Sequence, residues 1–126
     1  MPRRLPLGDV RPTQLYLSSE KLADAASWFD FDDPTYDPLP VFEYDDEWFL
    51  SDGHTRAFLA SLAGADELRV ERDEAVREEY DFDVYEAAIG WCEEDGVTRV
   101  ADLAGRVVEP ETFADVWIAR CQSCDE

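Results

Sequence analysis

One junction limits the folds open to this chain. Glu47-Trp48-Phe49-Leu50 is an apolar, aromatic run of strand type, and Asp52-Gly53 is a turn dipeptide. From Thr55 the residues Phe58, Leu59 and Leu62 return at helical spacing, with Gly64 as the stop. The sequence therefore predicts a strand, a tight polar turn and the first turn of a helix. Such a helix start carries unpaired backbone N–H groups and partial positive charge, so it can hold an anion. Gly53 lets a ligand approach the backbone, Thr55 adds a hydroxyl, and Arg56 adds a forked cation suited to phosphate. The same residues have a local reading too. Asp52 or Thr55 can cap the helix, Arg56 can pair with a surface carboxylate, and His54 can be a satisfied surface or core histidine.

Charge narrows the classes of partner. There are 31 acidic against 11 basic residues among 126, a net charge of −20, and Lys21 is the only lysine. The carboxylates are spread through every segment rather than gathered in a block. This is the surface expected of a cytosolic protein from a salt-accumulating halophile, where a short screening length suppresses self-repulsion. Arg3-Arg4 is the only basic cluster, which argues against nucleic acid binding and nuclease action, since these depend on phosphate neutralisation. A hydrophobic fraction of 45% with four Trp predicts one globular domain over residues 1–126. No apolar run is long enough to span a membrane, and Met1-Pro2-Arg3-Arg4-Leu5 leads into no signal-peptide core. Three cysteines give no even disulfide framework, which suits a reducing cytoplasm.

The remaining segments predict an α+β chain. Leu7 to Val10 reads as a short edge strand, and Pro12 forces an extended turn. Ser18 or Ser19 caps a helix that places Leu22, Ala25, Ala26 and Phe29 on one face. Asp30 to Pro40 is a connector whose Tyr36 either stacks on a ligand or packs the loop onto the core. Val41 to Tyr44, turned by Asp45-Asp46 into Glu47 to Leu50, reads as a hairpin, and Leu68 to Arg72 as a half-buried strand. Asp81 or Asp83 starts a helix with Tyr85, Ala88, Ile89 and Cys92 inward, ended by Gly96. A short helix at Val100 to Leu103 and an extended Arg106-Val107-Val108 follow. A last helix from Pro110 has Phe113, Val116, Trp117 and Arg120 on one face. Its aromatics, with Trp91, read as core or as an exposed partner face. Cys121 and Cys124 have half a zinc site's spacing. Cys92 and His54 complete it only if the fold gathers them.

The order of these elements resembles the ParB/sulfiredoxin-like superfamily over roughly Leu5 to Arg72. The resemblance rests on Asp52-Gly53-His54-Thr55-Arg56, with Pro40-Val41 upstream and Pro12-Thr13-Gln14 near the start. It implies a small mixed sheet with a phosphate-binding loop at a helix N-terminus over residues 5–72. Residues 74–126 are then a helical extension packed on that core, in a small Asp-Gly-His-Thr-Arg subgroup. In that superfamily the matching loop binds nucleotide phosphates, in chromosome-partition CTPases, in sulfiredoxin with ATP and in a free-serine kinase with ADP. Two departures are plain. His54 stands where sulfiredoxin has its reactive cysteine, and Ala57 follows Arg56 where ParB has a second arginine. No basic recognition helix follows the core.

The resemblance implies a nucleotide-binding domain for ATP, ADP or CTP, with Mg²⁺ as companion ion. Its activity would be a small-molecule phosphotransferase or a nucleotide hydrolase. Gly53, His54, Thr55, Arg56, Thr13 and Gln14 are the binding candidates. His54 is a candidate phosphate contact or proton acceptor, and Asp52 and Glu20 are candidate carboxylates for base or Mg²⁺ work. The alternative from another class is a non-catalytic regulatory module that meets a protein partner through its C-terminal helices.

Overall fold

The computed structural model describes residues 3–32, 36–73 and 82–123. A five-stranded mixed sheet is built from β1 (Arg3–Pro6), β2 (Val10–Arg11), β4 (Leu39–Tyr44), β5 (Glu47–Leu50) and β6 (Glu67–Arg72), in the order β1-β6-β4-β5-β2. β4 and β5 form the predicted antiparallel hairpin, with Val41 opposite Leu50 and Tyr44 opposite Glu47. β6 runs parallel to β4 and antiparallel to β1, and β2 runs parallel to β5. β3 (Leu17–Ser18) pairs in parallel with β7 (Val107–Val108) in a separate two-stranded sheet. The helices are α1 (Ser19–Trp28), α2 (His54–Leu62), α3 (Phe82–Glu94), α4 (Pro110–Phe113) and α5 (Ala119–Ser123).

The expected edge strand at Leu7 to Val10 is instead a 3-10 turn, Leu7–Asp9, between β1 and β2. That turn joins the two opposite edges of the sheet. Laid flat, five strands at about 4.8 Å spacing would hold those edges about 19 Å apart. A 3-10 turn advances only about 2 Å per residue, so three residues cannot cross that gap. The sheet therefore curls until its edges approach one another. The Leu7 N–H bond to the Asp66 carbonyl at 2.9 Å pins the turn to the strand beside it.

α2 lies against this sheet as a central helix. Ala57, Phe58, Leu59 and Ala60 are buried, and α2 packs on α1 and on the 3-10 turn Val100–Leu103. Leu62, expected on the inward stripe, is 60% exposed, because the helix ends there and the chain turns away at Gly64 with φ +86°. Residues of the C-terminal part, Ala88, Cys92, Val97, Val100, Leu103, Phe113 and Trp117, belong to the same apolar core as Val10, Val41 and Leu50. The opposite sheet face carries Phe42 and Phe49, which Ile89 and Tyr85 of α3 cover.

Phe113 and Trp117 are core, as one of the two readings had it. Val116, expected beside them, is 37% exposed. A single π-turn at Ala114–Ile118 separates α4 from α5 and widens the helical repeat, which moves Val116 off the inward face. Trp117 meets Trp91 edge-on at 5.8 Å, and the Arg120 guanidinium lies 4.1 Å over the Trp91 ring.

The hairpin turn is conformationally demanding. Asp45 and Asp46 both have positive φ, +53° and +64°, as a two-residue turn of the I′ kind requires. Two L-residues in that region cost on the order of 1 kcal/mol each, and here both also carry like charge. Asp46→Gly is therefore expected to stabilise the protein by about 1 kcal/mol. A urea midpoint that moves up at unchanged slope is the expected result, and an unchanged or lower midpoint would contradict it.

Candidate functional site

The site is built where β5 stops. The Ser51 N–H donates to the Pro40 carbonyl at 3.0 Å, its Oγ donates to Asp73 Oδ2 at 2.8 Å, and the Tyr85 hydroxyl donates to the Ser51 carbonyl at 3.1 Å. β4, β6 and α3 thus clamp the residue before the turn. Sequence reasoning missed this clamp, because Asp73 is one carboxylate among 31 and has no local mark.

Gly53 then turns the chain into α2 with φ +78° and ψ 21°. A Cβ there would fall 2.8 Å from Leu39 Cδ2 and 2.9 Å from Arg56 Nη2. Glycine is thus required twice, for its backbone conformation and for the space that Leu39 and Arg56 fill. Among the described residues no side chain caps the start of α2. Asp52, one of the expected caps, accepts only from the neighbouring Gly53 N–H, at 2.8 Å. The first amides of the helix thus keep their capacity to meet an anion.

His54 is 4% exposed, the core alternative of the sequence reading. The backbone N–H of Thr13 donates to its Nε2 at 2.9 Å. Nε2 is then an acceptor, so the ring proton of the neutral imidazole sits on Nδ1. Thr13 is buried as well, and its hydroxyl donates to the Leu50 carbonyl at 2.7 Å. The Pro12-Thr13 turn, the end of β5 and the start of α2 are so joined by two buried hydrogen bonds. Burial lowers the His54 pKa from 6.5 to about 4, with the charge of Asp52 pulling weakly the other way.

An open pocket of ≈320 Å³ lies in front of this helix start. Gln14, Lys21, Asp24, Ala25, Trp28, Asp52, Gly53, His54, Thr55 and Arg56 line it. The structure therefore brings together six of the predicted residues: Gln14, Asp52, Gly53, His54, Thr55 and Arg56. Thr13 stands behind the wall, holding His54, and does not line the pocket. Glu20 does not line it either; Asp24, one turn further along α1, does. Gln14 Nε2 donates to the Tyr16 carbonyl at 2.7 Å. Neither Lys21 nor Arg56 has an ion-pair partner among the described residues, although the chain is so acidic.

The α1 contribution was not foreseen. Lys21, Asp24, Ala25 and Trp28 follow one another at helical spacing, beside the core stripe of Leu22, Ala25, Ala26 and Phe29. The available signal was the sole lysine and a tryptophan two turns apart on one stripe. Tyr36 takes the packing role. Its ring stacks on Phe29 at 6.2 Å, and its hydroxyl accepts from the Arg69 N–H at 3.1 Å. Among the described residues no group of three or more His, Cys, Asp or Glu is arranged to hold a metal ion. Cys92 is buried, which pushes its thiol up to about 12, and Cys124 lies outside the described residues.

The His54 environment has a pH signature. Its folded pKa lies below the unfolded one, so the stabilisation is complete above pH 6.5 and is lost as pH falls from there toward about 4. The loss amounts to about 3 kcal/mol. As this is the only histidine, its Cε1–H proton resonance is expected to titrate near 4 in the folded protein. The stability gap between the native chain and His54→Gln is expected to narrow over the same range. A midpoint near 6.5 would show that the ring is not held as described.

No protein-family model matches the chain, and no curated protein matches it. Among solved structures it is similar to protein Atu1540 from Agrobacterium tumefaciens, with TM-score 0.53 and 12% identity over 95% of this chain and 69% of that one. It is similar to the C-terminally truncated chromosome-partitioning protein ParB from Caulobacter crescentus, complexed with CTP-gamma-S, with TM-score 0.48 and 13% identity over 100% and 93%. It is similar also to sulfiredoxin from Arabidopsis thaliana, with TM-score 0.40 and 18% identity over 58% and 84%. At these identities the likeness is one of fold alone: the chain shares with protein Atu1540 an α+β architecture, here with a C-terminal helical part.

Proposed function

We propose that this chain binds a nucleotide by its phosphates at the start of α2. One observation supports the reading: an uncapped helix N-terminus opens into a pocket with two cations, Lys21 and Arg56, that have no ion-pair partner among the described residues. In this reading the amides of α2 and the Thr55 hydroxyl meet one phosphate. Arg56 offers a fork to its oxygens, and Lys21 adds a point charge from α1. Gly53 lets the Arg56 guanidinium lie close against the turn. Asp24 and Asp52 are suited to a Mg²⁺ ion that arrives with the phosphates, since Mg²⁺ takes one or two carboxylates and leaves the rest to ligand and water.

Transfer or hydrolysis of a phosphoryl group is the chemistry such a pocket would serve, because that reaction asks mainly for positioning and charge neutralisation. The proton of an attacking hydroxyl would then pass to Asp24 or Asp52. Nε2 of His54 is engaged by Thr13, and a pKa of about 4 makes the ring a poor base. His54 serves better as a neutral hydrogen-bond donor through Nδ1. A second reading, a non-catalytic module that meets a protein partner through the C-terminal helices, draws on the exposed Val116 and Ile118.

The test is thermal stability in multimolar KCl, where self-repulsion is screened, with ATP, ADP, CTP and GTP, each with and without Mg²⁺. A ligand at a hundredfold its dissociation constant is expected to stabilise the fold by about 2.7 kcal/mol. Arg56→Ala is expected to weaken the same nucleotide by about 10- to 100-fold, the worth of a charge-assisted hydrogen bond. No shift with any nucleotide in a folded sample would overturn the reading in favour of the interaction module.

A further inference from the structure

The phosphate pocket does not end at Arg56. A second open cavity of ≈640 Å³ adjoins it, lined by Trp28, Tyr36, Asp37, Arg56 and Arg69. Trp28 and Arg56 line both cavities, so the two adjoin at these side chains, which form the waist between them. The far cavity differs in chemistry from the near one. It has no helix N-terminus, and it carries one tryptophan that is 56% exposed, the second most exposed large apolar side chain among the described residues after Leu62. Its wall is fixed: Tyr36 stacks on Phe29, which is itself buried, and bonds the Arg69 backbone through its hydroxyl.

We propose that this far cavity seats the base of the nucleotide, with the ring stacked on Trp28. The inference rests on the phosphate reading above. An indole face left open beside a cation offers sequence-tolerant stacking to any base. Asp37 lines the far end together with Arg69, and its carboxylate can accept from the ring N–H or amino group that every base presents. Arg56 at the waist then faces the phosphate adjoining the ribose. The ligand class is accordingly a nucleoside polyphosphate, and inorganic polyphosphate would fill only the near cavity.

The experiment compares ATP, CTP and GTP with inorganic tripolyphosphate by calorimetric titration of the full chain in multimolar KCl. Native protein, Trp28→Leu, Trp28→Phe and Arg56→Ala are run together. Trp28 is at the surface, so its replacement leaves the core intact. At least one nucleotide is expected to bind about tenfold more tightly than tripolyphosphate, the worth of one stacked base. Trp28→Leu is expected to erase most of that advantage while leaving tripolyphosphate within about twofold, and Trp28→Phe to restore part of it. Arg56→Ala is expected to weaken both ligands. Tripolyphosphate binding as tightly as every nucleotide would overturn the base site and leave the phosphate site standing. Equal losses of both ligands in Trp28→Leu would also overturn it, by making Trp28 a support of the phosphate end. No binding of any of these ligands would overturn the phosphate reading and the base site with it.

Discussion

The bond from the Thr13 amide to the His54 ring holds together parts that the chain keeps 41 residues apart. A buried backbone N–H must find an acceptor, and a buried imidazole must stay neutral or be paired. Each group answers the other's need. Because Thr13 also reaches the Leu50 carbonyl, the turn after β2 cannot shift without disturbing the end of β5 and the start of α2. The pocket is shaped by those three pieces, together with α1, which follows the Thr13 turn by only a few residues. A histidine placed beside a phosphate-type loop invites a catalytic role. Here its burial and its tautomer give it a positioning role first.

The legible part of the fold was what local chemistry dictates. The hairpin was announced by Asp45-Asp46 between two strand-type apolar runs, the central helix by Gly53 and Gly64, and the start of α1 by Ser18-Ser19, of which Ser18 is the cap. Sheet order was not legible, because pairing of β1 with β6 and of β2 with β5 is decided by closure of the curl rather than by either strand's sequence. The π-turn near Trp117 was equally hidden, since one added residue in a turn leaves the composition unchanged. In the site, the loop from Ser51 to Arg56 declared itself, whereas the α1 wall did not. Lys21, Asp24 and Trp28 look like ordinary surface until a pocket is set in front of them.

Electrostatics and shape act together at this site. Three arginines of the described surface are ion-paired: Arg11 with Glu47 and Glu93, Arg72 with Glu43, and Arg106 with Asp95. Such exposed pairs contribute little to stability, but they consume cations that would otherwise attract stray anions. Lys21 and Arg56 have no such partner among the described residues and line one concave pocket, with Asp24 and Asp52 also in its wall, where shape focuses the field of each charge.

The curled sheet also has a bearing on how the chain reaches its shape. β1 is synthesised first, yet its partner β6 lies more than 60 residues downstream, with Arg3 opposite Val70 and Pro6 opposite Glu67. The hairpin of β4 and β5 is local and can form early, whereas closing a loop of that length is entropically costly and slow. The first strand therefore waits beside an incomplete sheet until Glu67–Arg72 has paired with β4. The last event in building the sheet thus falls on the strand that precedes all the others in the chain, and the short turn Leu7–Asp9 then draws both edges in at once.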